Sequence, residues 1–277
     1  MAMLRVFKDL IKPYIYRSRL RAEGARLAAM EDPEARAVGD AFLKAGCAAF
    51  DASEEVLMEC VETQRAKVNA RTDTFDQPDY GAGAGAAGGA GRTVRRVIGE
   101  FARAASSPQV WASMHFALVR AVQPALCLEL GTCVGIASAY MALAQRLNAA
   151  GGRVFTLEGA PGAAAVAEAN FRDLGLENIT VVVGPFQETL GTVVAEHPGF
   201  GFVFIDGHHD EQATWDYFNQ IAPALLDGAV VVFDDIAWSD GMRRVWSRLA
   251  ADPRMAHACD LRHLGVCIYR RTGGAGA

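Results

Sequence analysis

The chain has 277 residues, 51% hydrophobic, 21% charged and 9% aromatic, with a formal net charge of −5. The apolar fraction supports a buried core and excludes wholesale disorder, and the acidic balance argues against a nucleic-acid binder, which needs a basic surface to meet phosphates. At roughly 100–200 residues per domain the length fits one large domain or a core with an appendage, and no apolar run reaches the ~20 residues of a membrane span.

Residues 1–27 carry seven Lys/Arg and two Asp/Glu, so this stretch holds +5 and the remainder −10. Leu4, Phe7, Leu10, Ile11, Tyr14 and Ile15 fall at helical spacing, with Pro13 expected to break or kink the element. Such a basic amphipathic segment is not a signal peptide, because no continuous apolar run precedes a cleavage site. It suits packing on its own domain or on a second copy of the chain, with contact to an anionic membrane surface as the alternative. From Glu34 to about Val68 the pattern is helical, and Asp51-Ala-Ser53 can divide it into two helices. Asp79-Tyr80 then leads into GAGAGAAGGAG over 81–91, which can pack no core. Gly83, Gly85 and Gly88 satisfy GxGxxG, but no apolar strand precedes them, so a dinucleotide site is rejected there. The stretch reads as a linker or as a mobile lid. Helices are expected over Thr93–Ala105 and Pro108–Val122.

After Pro124 apolar strands alternate with amphipathic helices. Strands are predicted at Ala125–Leu130, Arg153–Leu157, Ile179–Val183, Phe202–Asp206 and Ala229–Phe233, and helices at 135–147, 161–174, 186–196, 211–226 and 239–250. Strands so rich in Val, Leu and Phe are covered on both faces, which predicts an α/β fold with a doubly wound, mainly parallel sheet. His257–Asp260 and Leu264–Arg270 are too close for another crossover and fit a terminal antiparallel hairpin. Six cysteines (Cys47, Cys60, Cys127, Cys133, Cys259, Cys267) are scattered without a CxxC pair, and read as reduced, mostly buried side chains of a cytoplasmic protein.

Open α/β sheets bind ligands at the carboxyl ends of their strands. The first end reads Leu128-Glu129-Leu130-Gly131-Thr132-Cys133-Val134-Gly135: a glycine turn before a helix, with an acid just upstream and no third glycine for a pyrophosphate cradle. An acid there suits a ligand bearing an ammonium group, as S-adenosylmethionine does. Glu158, followed by Gly159, ends the second strand and is placed to accept both ribose hydroxyls. Gly184-Pro185-Phe186 ends the third, where Phe186 can stack on an adenine and a backbone carbonyl or Gln187 can meet its amino group. Asp206 ends the fourth strand and Asp234-Asp235 the fifth. Three carboxylates brought together repel one another unless a cation intervenes, and hard oxygen ligands suit Mg²⁺, Ca²⁺ or Mn²⁺. His208 and His209 follow Asp206, and of the two His209 is favoured as general base.

LELGTCVG, VFTLEG and FVFIDGHH resemble the motifs of class I S-adenosylmethionine-dependent methyltransferases, in a match that covers about Ala125 to Arg271. The segment from Phe204 to Trp238 is similar to the metal-dependent O-methyltransferases of the catechol and caffeoyl-CoA type. The resemblance implies a seven-stranded Rossmann-like fold, and by position it makes Asp206 the first metal Asp and Asp234 the second. Asp235 stands where that family has an Asn ligand and His209 where it has a catalytic Lys. Asp-Asp-Ile-x-Trp-Ser-x-Gly-Met at 234–242 and Asp79-Tyr80-Gly81-Ala82-Gly83 resemble a poorly characterised bacterial branch, which favours the lid for the glycine-rich stretch. The chain then divides into an N-terminal helical region (1–80), a Gly/Ala-rich loop or lid (81–91), helices leading into the core (92–123), the donor-binding domain (124–271) and a disordered tail (272–277).

The expected function is methyl transfer from S-adenosylmethionine to a hydroxyl of a small molecule. Donor contacts are expected from Glu129, Gly131, Thr132, Gly135, Glu158, Gly159, Phe186 and Asp206, a divalent metal, Mg²⁺, on Asp206, Asp234 and Asp235, and proton handling by His209, His208 and Asp206. The alternatives are a metal-independent O- or N-methyltransferase using a His base, an NAD-type oxidoreductase on the same sheet, and a non-catalytic subunit.

Overall fold

A computed structural model describes the backbone of residues 2–78 and 93–271, and side chains from residue 12 onward. The glycine-rich stretch 81–91, Asp79-Tyr80 before it, the tail 272–277 and the side chains of Leu4, Phe7, Leu10 and Ile11 lie outside the described residues.

Helix α1 (Ala2–Ala28) runs through Pro13 rather than ending there. Proline removes one backbone bond, yet Tyr16, Leu20 and Leu27 bury the following turns against the body of the protein, and that burial outweighs the local loss. Helix α2 (Pro33–Cys47) starts at Asp32, whose carboxylate accepts the Ala35 N–H at 3.0 Å. The expected division at Asp51 is a reciprocal cap: Asp51 accepts the Ser53 and Glu54 N–H groups, Glu54 accepts the Asp51 N–H, and α3 (Ala52–Asn69) begins.

The structure departs from the expected helix over 93–105. Thr93–Val97 is a strand, β2, paired antiparallel with β1 (Thr74–Pro78), and only Ile98–Ala105 is helical (α4). Thr93, Val94 and Val97 are β-branched, and partners in β1 give them a ladder that an isolated stretch of helix could not match. Helix α5 (Gln109–Val122) then leads into the main sheet.

That sheet has seven strands in the order β5-β4-β3-β6-β7-β9-β8. Leu126–Leu130 (β3), Arg153–Glu158 (β4), Ile179–Val183 (β5), Phe200–Ile205 (β6) and Leu225–Phe233 (β7) are parallel, and Met255–Asp260 (β8) with Gly265–Tyr269 (β9) add an antiparallel edge. The crossovers are α6 (Ile136–Leu147), α7 (Pro161–Asp173), α8 (Phe186–Glu196) and α9 (Glu211–Ile221), while α10 (Asp240–Ala250) precedes the edge hairpin. The expected helix over 211–226 stops at Ile221, and a single 3₁₀ turn at Ala222–Ala224 carries Pro223 before β7 begins at Leu225.

Alternate strand residues feed two cores. Cys127, Phe202, Phe204, Val230 and Val232 face the layer formed by α1, α2, α5, α6 and α7. Leu128, Leu130, Val203, Ile205, Val231 and Phe233 face α8, α9 and α10. The order reverses at β3, whose neighbours are β4 and β6, and a crevice opens at their carboxyl ends. All six cysteines are free; Cys127, Cys259 and Cys267 are buried, Cys133 is intermediate, and Cys47 and Cys60 are exposed rather than buried. Among the described residues no helix is long and apolar enough to cross a membrane.

Candidate active site

Backbone ladders carry the candidate residues to their places. The Asp206 N–H donates to the Leu130 carbonyl at 2.8 Å and the Asp234 N–H to the Ile205 carbonyl at 2.9 Å, so each Asp stands one residue beyond its strand. Gly131 has φ +102, and a Cβ there would lie 1.9 Å from the Asp206 carbonyl oxygen. Only glycine lets the first turn approach the fourth strand end this closely. Gly135 (φ +84) opens α6 with its Cα against the Phe171 ring, where a Cβ would come within 2.5 Å.

A cavity of about 340 Å³ lies over these ends, bordered by Gly131, Glu158, Gly159, Phe186, Asp206 and His208. Glu158 accepts the Cys133 N–H at 2.8 Å and the Ala160 N–H at 2.9 Å. Burial raises its pKa while those N–H groups oppose the rise. Phe186 meets the Tyr217 ring edge-on, with centroids 5.7 Å apart. Glu129 and Thr132 do not border this cavity. The Glu129 carboxylate is fully buried and accepts hydrogen bonds from Ser138 and, at 2.6 Å, from Thr156, which also bonds Thr132 at 2.6 Å. Burial pushes Glu129 up to about 7 against those two bonds, and its Oε1 has no hydrogen-bond partner in the structure. That orphaned carboxylate oxygen beside the glycine turn fits a cationic donor group better than a phosphate.

The histidines part company. His208 (φ +66) turns toward α9, where its Nδ1 pairs with the Tyr217 hydroxyl at 2.7 Å, and burial lowers its pKa. His209 (φ +44) turns toward the acids: its Nε2 lies 3.7 Å from Asp206 Oδ1 and 4.0 Å from Asp235 Oδ2. Burial raises the Asp206 pKa well above the carboxylate range, and Asp234 adds repulsion and a shared hydrogen bond; Asp234 is raised by burial and by Asp235. Burial and the neighbouring carboxylates thus raise both members of the Asp206–Asp234 pair. Asp235 (φ +49) donates its own N–H to Asp234 Oδ1 at 2.8 Å.

Among the described residues no three His, Cys, Asp or Glu side chains stand as a ready metal cage. The donor chemistry nevertheless fits a hard cation. The set is rich in carboxylate oxygen: Asp206 and Asp235 both stand within 4.0 Å of His209 Nε2, and repulsion between Asp206 and its acidic neighbours is what a cation would relieve.

Two further side chains belong here. His263, in the turn between β8 and β9, places Nδ1 3.3 Å from Asp235 Oδ1, and its carbonyl accepts the Ile236 N–H at 3.0 Å. Tyr16 of α1 is buried against Trp111 (centroids 4.6 Å) and His263 (5.5 Å). Burial chiefly raises the Tyr16 pKa, and Asp234 and Asp235 add to the rise. Neither residue carries a motif: His263 reaches Asp235 across 28 residues, and Tyr16 meets His263 from the other end of the chain. Trp238 stands 67% exposed at the rim, its ring 6.5 Å from that of His209.

Comparison with known proteins agrees with this geometry. A family described as a methyltransferase domain matches residues 128–236. The catechol O-methyltransferase of Mycobacterium tuberculosis is 36% identical over 126 residues, covering 45% of this chain and 54% of that protein. That of Niastella koreensis is 34% identical over 111 residues, covering 39% and 48%. The chain thus matches about half the length of these curated relatives. The crystal structure of an O-methyltransferase from Bacillus cereus in complex with SAH superposes with a TM-score of 0.53 at 24% identity, over 60% of this chain and 84% of that one. The fold is therefore that of the class I methyltransferases. The resemblance to the class I methyltransferases is borne out by the match over residues 128–236, and the likeness to the catechol type by the 36% and 34% identity to two catechol O-methyltransferases.

Proposed function

We propose that the chain transfers a methyl group from S-adenosylmethionine to a hydroxyl of a small molecule, with a divalent cation, Mg²⁺, assisting. One observation carries the reading. His209 Nε2, 3.7 Å and 4.0 Å from two carboxylates, faces the acid cluster beside the cavity that the glycine turn and Glu158 border.

The donor supplies an electrophilic methyl carbon on a sulfonium, so its activation asks little of the protein. What remains is alignment and proton removal. Glu158 is set to receive the ribose hydroxyls, Phe186 the adenine, and the turn from Gly131 to Gly135 lets backbone approach the sulfonium arm. Glu129 would balance the ammonium with the oxygen that has no other partner. Asp206, Asp234 and Asp235 would hold the cation, which lowers the pKa of a hydroxyl beside it. His209 takes the hydroxyl proton at Nε2, and Asp206 and Asp235 stabilise the imidazolium that results. His208 pairs with Tyr217 and shapes the donor wall instead of moving protons. The acceptor arrives on the side of Tyr16, His263 and Trp238, and catechol-type diols, named for the relatives, are the first acceptors to try.

Calorimetry with S-adenosylhomocysteine should show binding by the whole chain, and turnover should fall in excess EDTA and return with Mg²⁺. Full turnover in EDTA would remove the cation and leave the His-only mechanism. A shared cation also predicts that Asp206→Ala and Asp235→Ala abolish turnover alike.

A further inference from the structure

The pocket that borders Glu158 and Phe186 has a wall that no strand end of the main sheet supplies: Gln77, Pro78 and Arg96 of the β1–β2 hairpin. Register fixes which side chains face inward. Phe75 pairs with Arg96, Gln77 with Val94 and Asp76 with Arg95, and directly paired residues share a face of the ribbon. Phe75, Gln77, Val94 and Arg96 therefore form one face, with Asp76 and Arg95 on the other, where they make an outward ion pair at 3.8 Å.

The inward face is anchored. Phe75 is buried against Phe101 (centroids 5.1 Å) and against Gly162 in the first turn of α7, where a Cβ would come within 2.6 Å of the ring. That turn follows Glu158 by four residues, so the hairpin is fixed relative to the ribose acid. On this anchored face Arg96 is nonetheless exposed, because what it faces is the cavity. Its Nε donates to Gln77 Oε1 at 3.1 Å, which sets the plane of the guanidinium. The hairpin stands on the α7 layer and Phe186 on the α8 layer, so the two walls come from opposite faces of the sheet.

We propose that the β1–β2 hairpin is the outer wall of the adenosyl pocket, with the Arg96 guanidinium laid on the adenine face opposite Phe186 and oriented there by Gln77. This rests on the donor site proposed above. A planar cation over a π-face gains from stacking as well as charge, which a lysine ammonium reproduces only in part. Arg96 would be a binding residue and Gln77 a positioning residue for the donor.

The test is calorimetric titration of the full chain with S-adenosylhomocysteine, for wild type, Arg96→Ala, Arg96→Lys and Gln77→Ala, with thermal midpoints recorded alongside. Arg96→Ala should weaken binding about tenfold, Arg96→Lys should recover little of it, and Gln77→Ala should cost about threefold, all at midpoints near that of wild type. Wild-type affinity in Arg96→Ala would overturn the proposal, and full recovery in Arg96→Lys would replace stacking with a simple charge effect and overturn it too. Absence of binding by the wild type would instead sink the donor site itself, an outcome separate from both.

Discussion

The donor half and the acid cluster share Asp206 yet are built in opposite ways. On the donor side Gly131 and Gly135 take positive φ at no steric cost, and a side chain at either would strike a neighbour, while Cys133 between them also has positive φ (+53). On the acid side positive φ falls on His209 and Asp235, with His208 beside them on the donor wall, residues for which that conformation is less favourable than for glycine. The donor half is thus assembled by strand ends and turns that are local in sequence. The acid half is held in place by residues from both ends of the chain, Tyr16 and His263.

The sharpest way to break that contrast is at the shared point. Gly131→Ala puts a Cβ on the Asp206 carbonyl, backbone against backbone, with φ +102 to be strained as well. Stability should fall by about 4 kcal/mol or more, read from urea unfolding, and a loss under 1 kcal/mol would mean that the turn relaxes freely. His209→Ala should leave the fold intact and lower turnover by about 10²–10⁴-fold, the usual worth of a general base. His208→Ala should lose far less, since its ring is engaged with Tyr217. Equal losses in the two variants would erase the distinction between the two histidines.

The same contrast explains what the sequence could disclose. Every strand end on the donor side was legible, because apolar runs of five or six residues followed by Gly, Glu or Asp repeat with the βαβ period, and Asp206, Asp234 and Asp235 could be placed side by side from strand adjacency alone. The direction of a side chain at such an end was not legible. Glu129 and Thr132 look like ligand contacts in LELGTCVG; Thr132 pairs with Thr156, and Glu129 bonds Ser138 and Thr156 through one carboxylate oxygen while the other, Oε1, keeps no partner. Thr93–Val97 reads as helix from the sequence because it gains its strand partner only through residues 74–78, on the far side of the glycine-rich stretch. His263 and Tyr16 gave no signal, since closeness to Asp235 is a property of the closed sheet and of α1 packing on Trp111.

Beneath both halves lies His115, fully buried against Phe202 and Phe204 of the strand that carries Asp206, with no hydrogen-bond partner at either ring nitrogen. Burial pushes its pKa down to about 3 from the ordinary 6.5. Between those values the unfolded chain binds the proton and the folded one does not, so this contribution to stability is complete above pH ~6.5 and is lost as pH falls. His115→Leu should remove that share. Relative to its own stability at pH 7.5, the variant should be about 2 kcal/mol less sensitive than wild type to a move to pH 5.0. Parallel losses in urea unfolding would show that His115 is solvated or paired. His263→Ala should act more weakly and on one half only, lowering turnover about tenfold through Asp235, as outer partners of ligating groups do, with S-adenosylhomocysteine affinity as the control that separates the two halves.

The smallest expected effect discriminates most finely. Arg95 and Arg96 are neighbours on β2, alike in charge and both exposed, and differ only in which face of the ribbon they occupy. Arg95 meets Asp76 on the outer face at 3.8 Å, an exposed pair worth less than about 0.5 kcal/mol. Arg95→Ala should therefore change neither unfolding nor donor affinity beyond measurement error, although it removes the same charge from the same strand as Arg96→Ala. If both substitutions weaken S-adenosylhomocysteine equally, the hairpin acts through its diffuse positive field. If only Arg96 matters, the alternation of the ribbon decides which arginine belongs to the donor half.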